Sequence, residues 1–87
     1  MLHAIKEIKE VAPFYLTLRF NTGEVMKVDL EASLQQWSTS PMSKFQELLN
    51  QDYFARVKLN TEIETISWDN GIDFCPDVLY MMGKKVS

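Results

Sequence analysis

The chain has 87 residues, 46% hydrophobic, 11% aromatic and 24% charged, and its 12 acidic and 9 basic residues give a net charge of −3. Folding a chain of this length buries about 64% of the unfolded surface, enough for one core in one domain over residues 1–87, and the apolar content excludes disorder. The acidic balance offers no electrostatic footprint for nucleic acid, the lone Cys75 excludes an intrachain disulfide, and no apolar run approaches a membrane span.

The opening "MLHAIKEIKE" carries charges where a signal peptide needs an apolar stretch, so a cytoplasmic protein is expected. In "AIKEIKEV", Ile5, Ile8 and Val11 fit a helical spacing. The β-branched residues and the following Ala12-Pro13 favour an edge strand instead. Phe14, Leu16, Leu18 and Phe20 alternate with polar neighbours, the period-2 signature of a half-buried strand. "NTGE" then supplies a tight turn, and Met26, Val28 and Leu30 resume the alternation, so a hairpin is predicted.

Leu30, Leu34 and Trp37 predict a short helix that "STSP" interrupts. Ser40 as N-cap and Pro41 at the first helical position predict a second helix, with Met42, Phe45, Leu48 and Leu49 on its apolar stripe and its end near Asn50. Ser43 and Gln46 offer a competing start through the capping-box spacing. "YFARVKL" and "EIETISW" alternate around "NTE" and predict a second hairpin. The expected fold is α+β: a two-layer domain on a mainly antiparallel five-stranded sheet, in the order β-β-β-α-β-β with a short C-terminal helical turn.

The segment Ile66 to Tyr80, "ISWDNGIDFCPDVLY", concentrates the conspicuous residues. Asn70-Gly71 after a strand is a turn signal, Pro76 suits the start of a helical turn, Asp77 favours its positive end, and Leu79 and Tyr80 can pack back onto the sheet. Trp68 is expected to be buried, with Asp73 or Asp77 bonding backbone N–H groups near the last helical turn. Reading Asp69, Asp73 and Asp77 as a metal or acid/base cluster fares worse, because the order lacks the calcium-loop pattern and its bidentate Glu. His3, the only histidine, lies in a terminus prone to fray, and Cys75 reads as a small, partly buried apolar residue. Trp37, Met81 and Met82 fit either a core Trp and a fraying tail or an exposed patch. No catalytic residue, metal site or cofactor is expected.

The succession "PFYLTLRFNTGEVMKVDL", "FQELLNQDYFARVKLN" and "ISWDNGIDFCPDVLY" resembles the small bacterial family catalogued as Domain of Unknown Function 2442. The likeness runs from about Pro13 to Tyr80. It rests on Phe20, Gly23, Val28, Asp29, Leu30, Phe45, Leu48, Phe54 and Val57, then Trp68, Asn70, Gly71, Asp73, Pro76, Asp77, Leu79 and Tyr80. Asp69 stands where the family commonly has Pro. The resemblance implies no agreed activity. Some members carry an added helix-turn-helix domain, for which these 87 residues are expected to have no room, and many short members resemble one half of a two-gene, toxin–antitoxin-like unit.

The expected function is therefore a small non-enzymatic protein-interaction module, antitoxin-like, acting as a homodimer or with a small protein partner, binding no nucleic acid directly and no membrane. The alternatives are a regulatory or DNA-associated accessory protein and, third, a small-ligand binder. The first strand, apolar on one side and charged on the other, is a candidate edge for pairing, with Met81 and Met82 as adaptable contacts.

Overall fold

A computed structural model describes residues 3–39 and 43–86. The fold is α+β with a mainly antiparallel arrangement. Strands β1 (Ile5–Ala12), β2 (Tyr15–Phe20) and β3 (Val25–Asp29) form a meander, and a two-residue strand β6 (Lys84–Lys85) completes a four-stranded sheet in the order β1-β2-β3-β6. Strands β4 (Lys58–Asn60) and β5 (Thr65–Ser67) pair separately as a two-stranded sheet. Helices α1 (Glu31–Trp37), α2 (Phe45–Leu48) and α3 (Gln51–Phe54) lie between β3 and β4, and α4 (Pro76–Met82) lies between β5 and β6. The expected single five-stranded sheet is thus divided into four strands and two.

Register explains the ambiguous spacing of the first strand. Ile5, Ile8 and Val11, three residues apart, sit opposite Phe20, Leu18 and Leu16, two residues apart. Register shifts between Ile5 and Glu7 and between Ile8 and Glu10 take up the extra residues, so a helical-looking period is absorbed by an irregular strand. Such irregularities, together with Lys6, Glu7, Lys9 and Glu10, blunt an edge against pairing with another chain. At its start β1 is also covered, since the Ile5 N–H donates to the Glu64 carbonyl at 2.9 Å.

The hairpin behaves as its alternation predicts. Leu16 faces Val28 and Leu18 faces Met26 on the inner side, while Thr17 and Lys27 pair on the outer side. Leu16, Leu18, Phe20 and Val28 are wholly buried and meet Leu34, Leu48, Phe54, Ile66 and Leu79 in one core cluster.

Helix α1 starts where the Asp29 carboxylate accepts the Glu31 N–H at 3.0 Å. The proposed Ser40–Pro41–Met42 helix start lies outside the described residues; the Ser43 hydroxyl oxygen accepts the Phe45 N–H at 3.2 Å just before α2, but Gln46 donates to the Ser38 carbonyl, so the Ser43–Gln46 spacing forms no capping box. The Asn50 side chain then accepts the N–H groups of Asp52 and Tyr53 at 2.9 and 3.1 Å and opens a new helical turn. This cap overturns the expected strand over "YFARVKL": Tyr53 and Phe54 are helical, Ala55 is exposed, and β4 begins only at Lys58. Glu64, at φ +56°, similarly ends the expected extended run, so that β5 covers only Thr65–Ser67.

Candidate functional site

The residues singled out between Trp68 and Tyr80 come together as a turn, a strand end and a helix. Trp68 is 2% exposed, and its indole N–H donates to the Phe54 carbonyl at 3.1 Å. Its ring meets Phe54 and, edge-on, Phe74, each at 5.7 Å between centroids. The Trp68 N–H donates to the Ile72 carbonyl and the Gly71 N–H to the Trp68 carbonyl, closing the turn. Gly71 sits at φ +91°, a left-handed position that suits a residue without Cβ.

Asn70 locks this turn to helix α2. Its side-chain oxygen accepts the Ile72 N–H at 3.1 Å, its amide donates to the Lys44 carbonyl and the Glu47 carboxylate, and the Lys44 ammonium donates to the Asn70 carbonyl. Asp73 bridges to Ser67 through the backbone, and the Thr65 hydroxyl donates to the Phe74 carbonyl at 2.6 Å. Pro76 opens α4 as expected, and Leu79 is fully buried.

Asp69 and Asp77 point to separate partners. Asp69 accepts from the Lys58 ammonium at 2.7 Å, and this hydrogen bond, reinforced by the lysine charge, holds its carboxyl below the ordinary aspartate range. Asp77 accepts both the backbone N–H of His3 at 2.8 Å and a contact from the His3 ring at 2.7 Å. Among the described residues no group of three His, Cys, Asp or Glu side chains is placed to hold a metal ion.

His3 is accordingly anchored where fraying was expected. Besides its bonds to Asp77, its ring stacks on Tyr80 at 3.9 Å. The Tyr80 hydroxyl donates to the Glu24 carboxylate at 2.5 Å. That bond pushes the Tyr80 phenol above, and the Glu24 carboxyl below, their ordinary ranges. His3 and Glu24 were missed as partners of the motif because they lie 74 and 56 positions away from it, and no local pattern announces such contacts.

Cys75 corrects another expectation, being exposed at the N-terminal flank of α4. Trp37 is 37% exposed, yet its ring contacts Phe45 and Phe74 at 5.3 and 5.7 Å. Outside the core, Ile63, Val78 and Met81 are 40%, 45% and 83% exposed. Ile63, Thr65, Asp73, Phe74, Cys75 and Pro76 line a groove of about 290 Å³. A second cleft of about 550 Å³ runs along α2 and α3, between Gln46, Glu47, Asn50, Asp52, Tyr53 and Arg56, but Asn50 and Glu47 are already engaged in the cap and the turn.

With this geometry established, comparison with known proteins is informative. The family profile described as "Protein of unknown function (DUF2442)" matches residues 5–85. The chain belongs to that family. The match takes in β1 and β6, beyond the stretch whose motifs carried the resemblance. No curated protein matches this DUF2442 chain. A crystal structure described as that of a "Putative DNA Binding Protein" from Nitrosomonas europaea shares the fold, with a TM-score of 0.77 at 24% identity over 97% of this chain. The DUF2442 chain spans 50% of that neighbour's length. No helix among the described residues is long and apolar enough to cross a membrane.

Proposed function

We propose that this DUF2442 chain is a non-enzymatic protein-interaction module, the antitoxin-like member of a two-gene bacterial unit, working in the cytoplasm as a homodimer or with a small protein partner. The observation that carries this reading is the exposure of three large apolar side chains outside the core, Ile63 in the turn before β5 and Val78 and Met81 three residues apart on α4. Exposed apolar side chains close to a groove suit a partner's surface, and a flexible Met adapts to it. The motif residues supply little competing chemistry, since Trp68, Asn70 and Asp77 are used in internal contacts.

Light scattering at micromolar concentration tests the reading, on the chain alone and mixed with the product of its genomic neighbour. A dimer or a mixed complex is expected. A monomer in both samples removes the interaction module from first place.

A regulatory, DNA-associated role is the second reading, and the description of the Nitrosomonas europaea structure favours it. The net charge of −3 favours association through another protein over direct contact with DNA. Salt-sensitive binding of duplex DNA by the chain alone would reverse that order.

A further inference from the structure

The groove beside α4 has a shape and a charge environment that together define an occupant. At about 290 Å³ it lies at the lower limit of small-molecule sites, which run to about 300–1,000 Å³, and suits one large side chain better than a whole ligand. Ile63, Phe74, Cys75 and Pro76 give it apolar walls. Between Leu59 and Gly83, the segment that builds every wall, lie none of the nine basic residues and five of the twelve acidic ones, of which Asp69 is engaged by Lys58 and Asp77 by His3, while Glu62, Glu64 and Asp73 remain to face a partner. Asp73 lines the groove, and exposed Glu62 and Glu64 flank Ile63 in the chain. Lys6 approaches Glu64 only to 3.7 Å and leaves its side chain 55% exposed.

We infer that this groove is a socket for one bulky apolar side chain presented by a basic segment of a partner protein. The inference rests on the interaction-module reading and names the chemistry of the partner. Lysines or arginines on either side of the anchor meet the acidic surroundings, which steer the approach and reject acidic segments. A second copy related by a two-fold axis through the groove would set the same acidic surface against itself, which argues against that symmetric pairing and for a different chain as the occupant.

The test titrates the full chain with short peptides carrying one Phe, Leu or Trp between pairs of Lys, beside versions with Glu for Lys and with Ala for the anchor. Fluorescence anisotropy reads binding. The rate at which iodoacetamide alkylates Cys75, the chain's only cysteine and a groove residue, reads its location. An anchored basic peptide is expected to bind, to slow alkylation and to weaken with added salt, whereas acidic and anchorless peptides are not. Ile63→Asp should reduce affinity about tenfold or more and Glu62→Lys severalfold, with melting curves showing that each variant remains folded under the binding conditions. Equal binding of the acidic peptides, no binding by any anchored basic peptide, or indifference to Ile63→Asp overturns the inference. If the genomic neighbour's product still binds Ile63→Asp as well as the parent chain, the socket falls while the interaction-module reading stands. If that product binds neither and the chain is monomeric, the interaction-module reading itself falls.

Discussion

The indole N–H of Trp68 donates to the carbonyl oxygen of Phe54 at 3.1 Å, joining the turn motif to the last residue of α3 inside the core. One side chain therefore fills volume between two aromatic rings and adds a second donor, beside the Val57 N–H, to a buried backbone acceptor. Trp68→Ala is expected to destabilise the protein by about 3–5 kcal/mol, a large part of what a small domain possesses. Trp68→Phe retains an aromatic ring but loses the indole bond and leaves the Phe54 carbonyl with the Val57 N–H alone, for a loss of about 0.5–1.5 kcal/mol from that bond. Urea denaturation followed by circular dichroism measures both, and an unchanged midpoint for Trp68→Ala would refute the structural account of the motif.

Gly71 offers a test of the turn itself. A Cβ there would meet only the Lys44 ammonium at 3.9 Å, so space is not limiting and the cost of substitution lies in its φ of +91°. Gly71→Ala should lose about 1–2 kcal/mol, and Gly71→Asn less, because Asn tolerates left-handed backbone better. Equal losses in the two variants would mean that sterics, not backbone conformation, decide the position.

What the sequence made legible, and what it concealed, follows from the range of the interactions. The β2–β3 hairpin was readable because Leu16, Leu18 and Phe20 are buried on one face by a strand only a short turn away. The Trp68–Tyr80 motif was readable as turn and helix start because Asn70, Gly71 and Pro76 act on their immediate neighbours. Ala55, Val57 and Leu59 read as one strand face, but only Leu59 lies in β4, and Asn50 two residues before Asp52 is the capping signal that makes the start of this stretch helical. Strand β6 has two residues and no period, and the exposure of Ile63 depends on the bend at Glu64.

The Tyr80–Glu24 bond predicts a pH signature. Tyr80 has a folded pKa raised above its ordinary value, so its contribution is fully present below the ordinary tyrosine range and is lost as pH rises through the folded pKa. Glu24 has a depressed folded pKa, so its contribution is present above the ordinary glutamate range and is lost as pH falls through the folded pKa. Melting temperatures recorded across pH should fall less steeply in alkali for Tyr80→Phe than for the parent. Parallel alkaline limbs would show that the bond does not form in solution.

The separate engagement of Asp69 and Asp77 leads to a negative expectation. Calcium, zinc or magnesium should raise the melting temperature by no more than about 1–2 degrees, since an ion bound only by the folded state would stabilise it in proportion to its affinity. A saturable rise that disappears in Asp73→Asn would require a rearranged carboxylate site.

The His3–Asp77 contact also bears on the order in which the molecule is assembled. It closes a loop spanning 74 positions, whereas the β1–β2–β3 meander is held by short, sequential reversals. Distant closures lose more chain entropy before any contact compensates them, and they lower folding rates accordingly. The meander is therefore the natural early nucleus, and α4, carrying Asp77 and Tyr80 to the His3 ring, is the late piece. Of the groove proposed to receive a partner, only Pro76 belongs to this late piece, but that residue closes one wall, so the groove is complete only once α4 has docked.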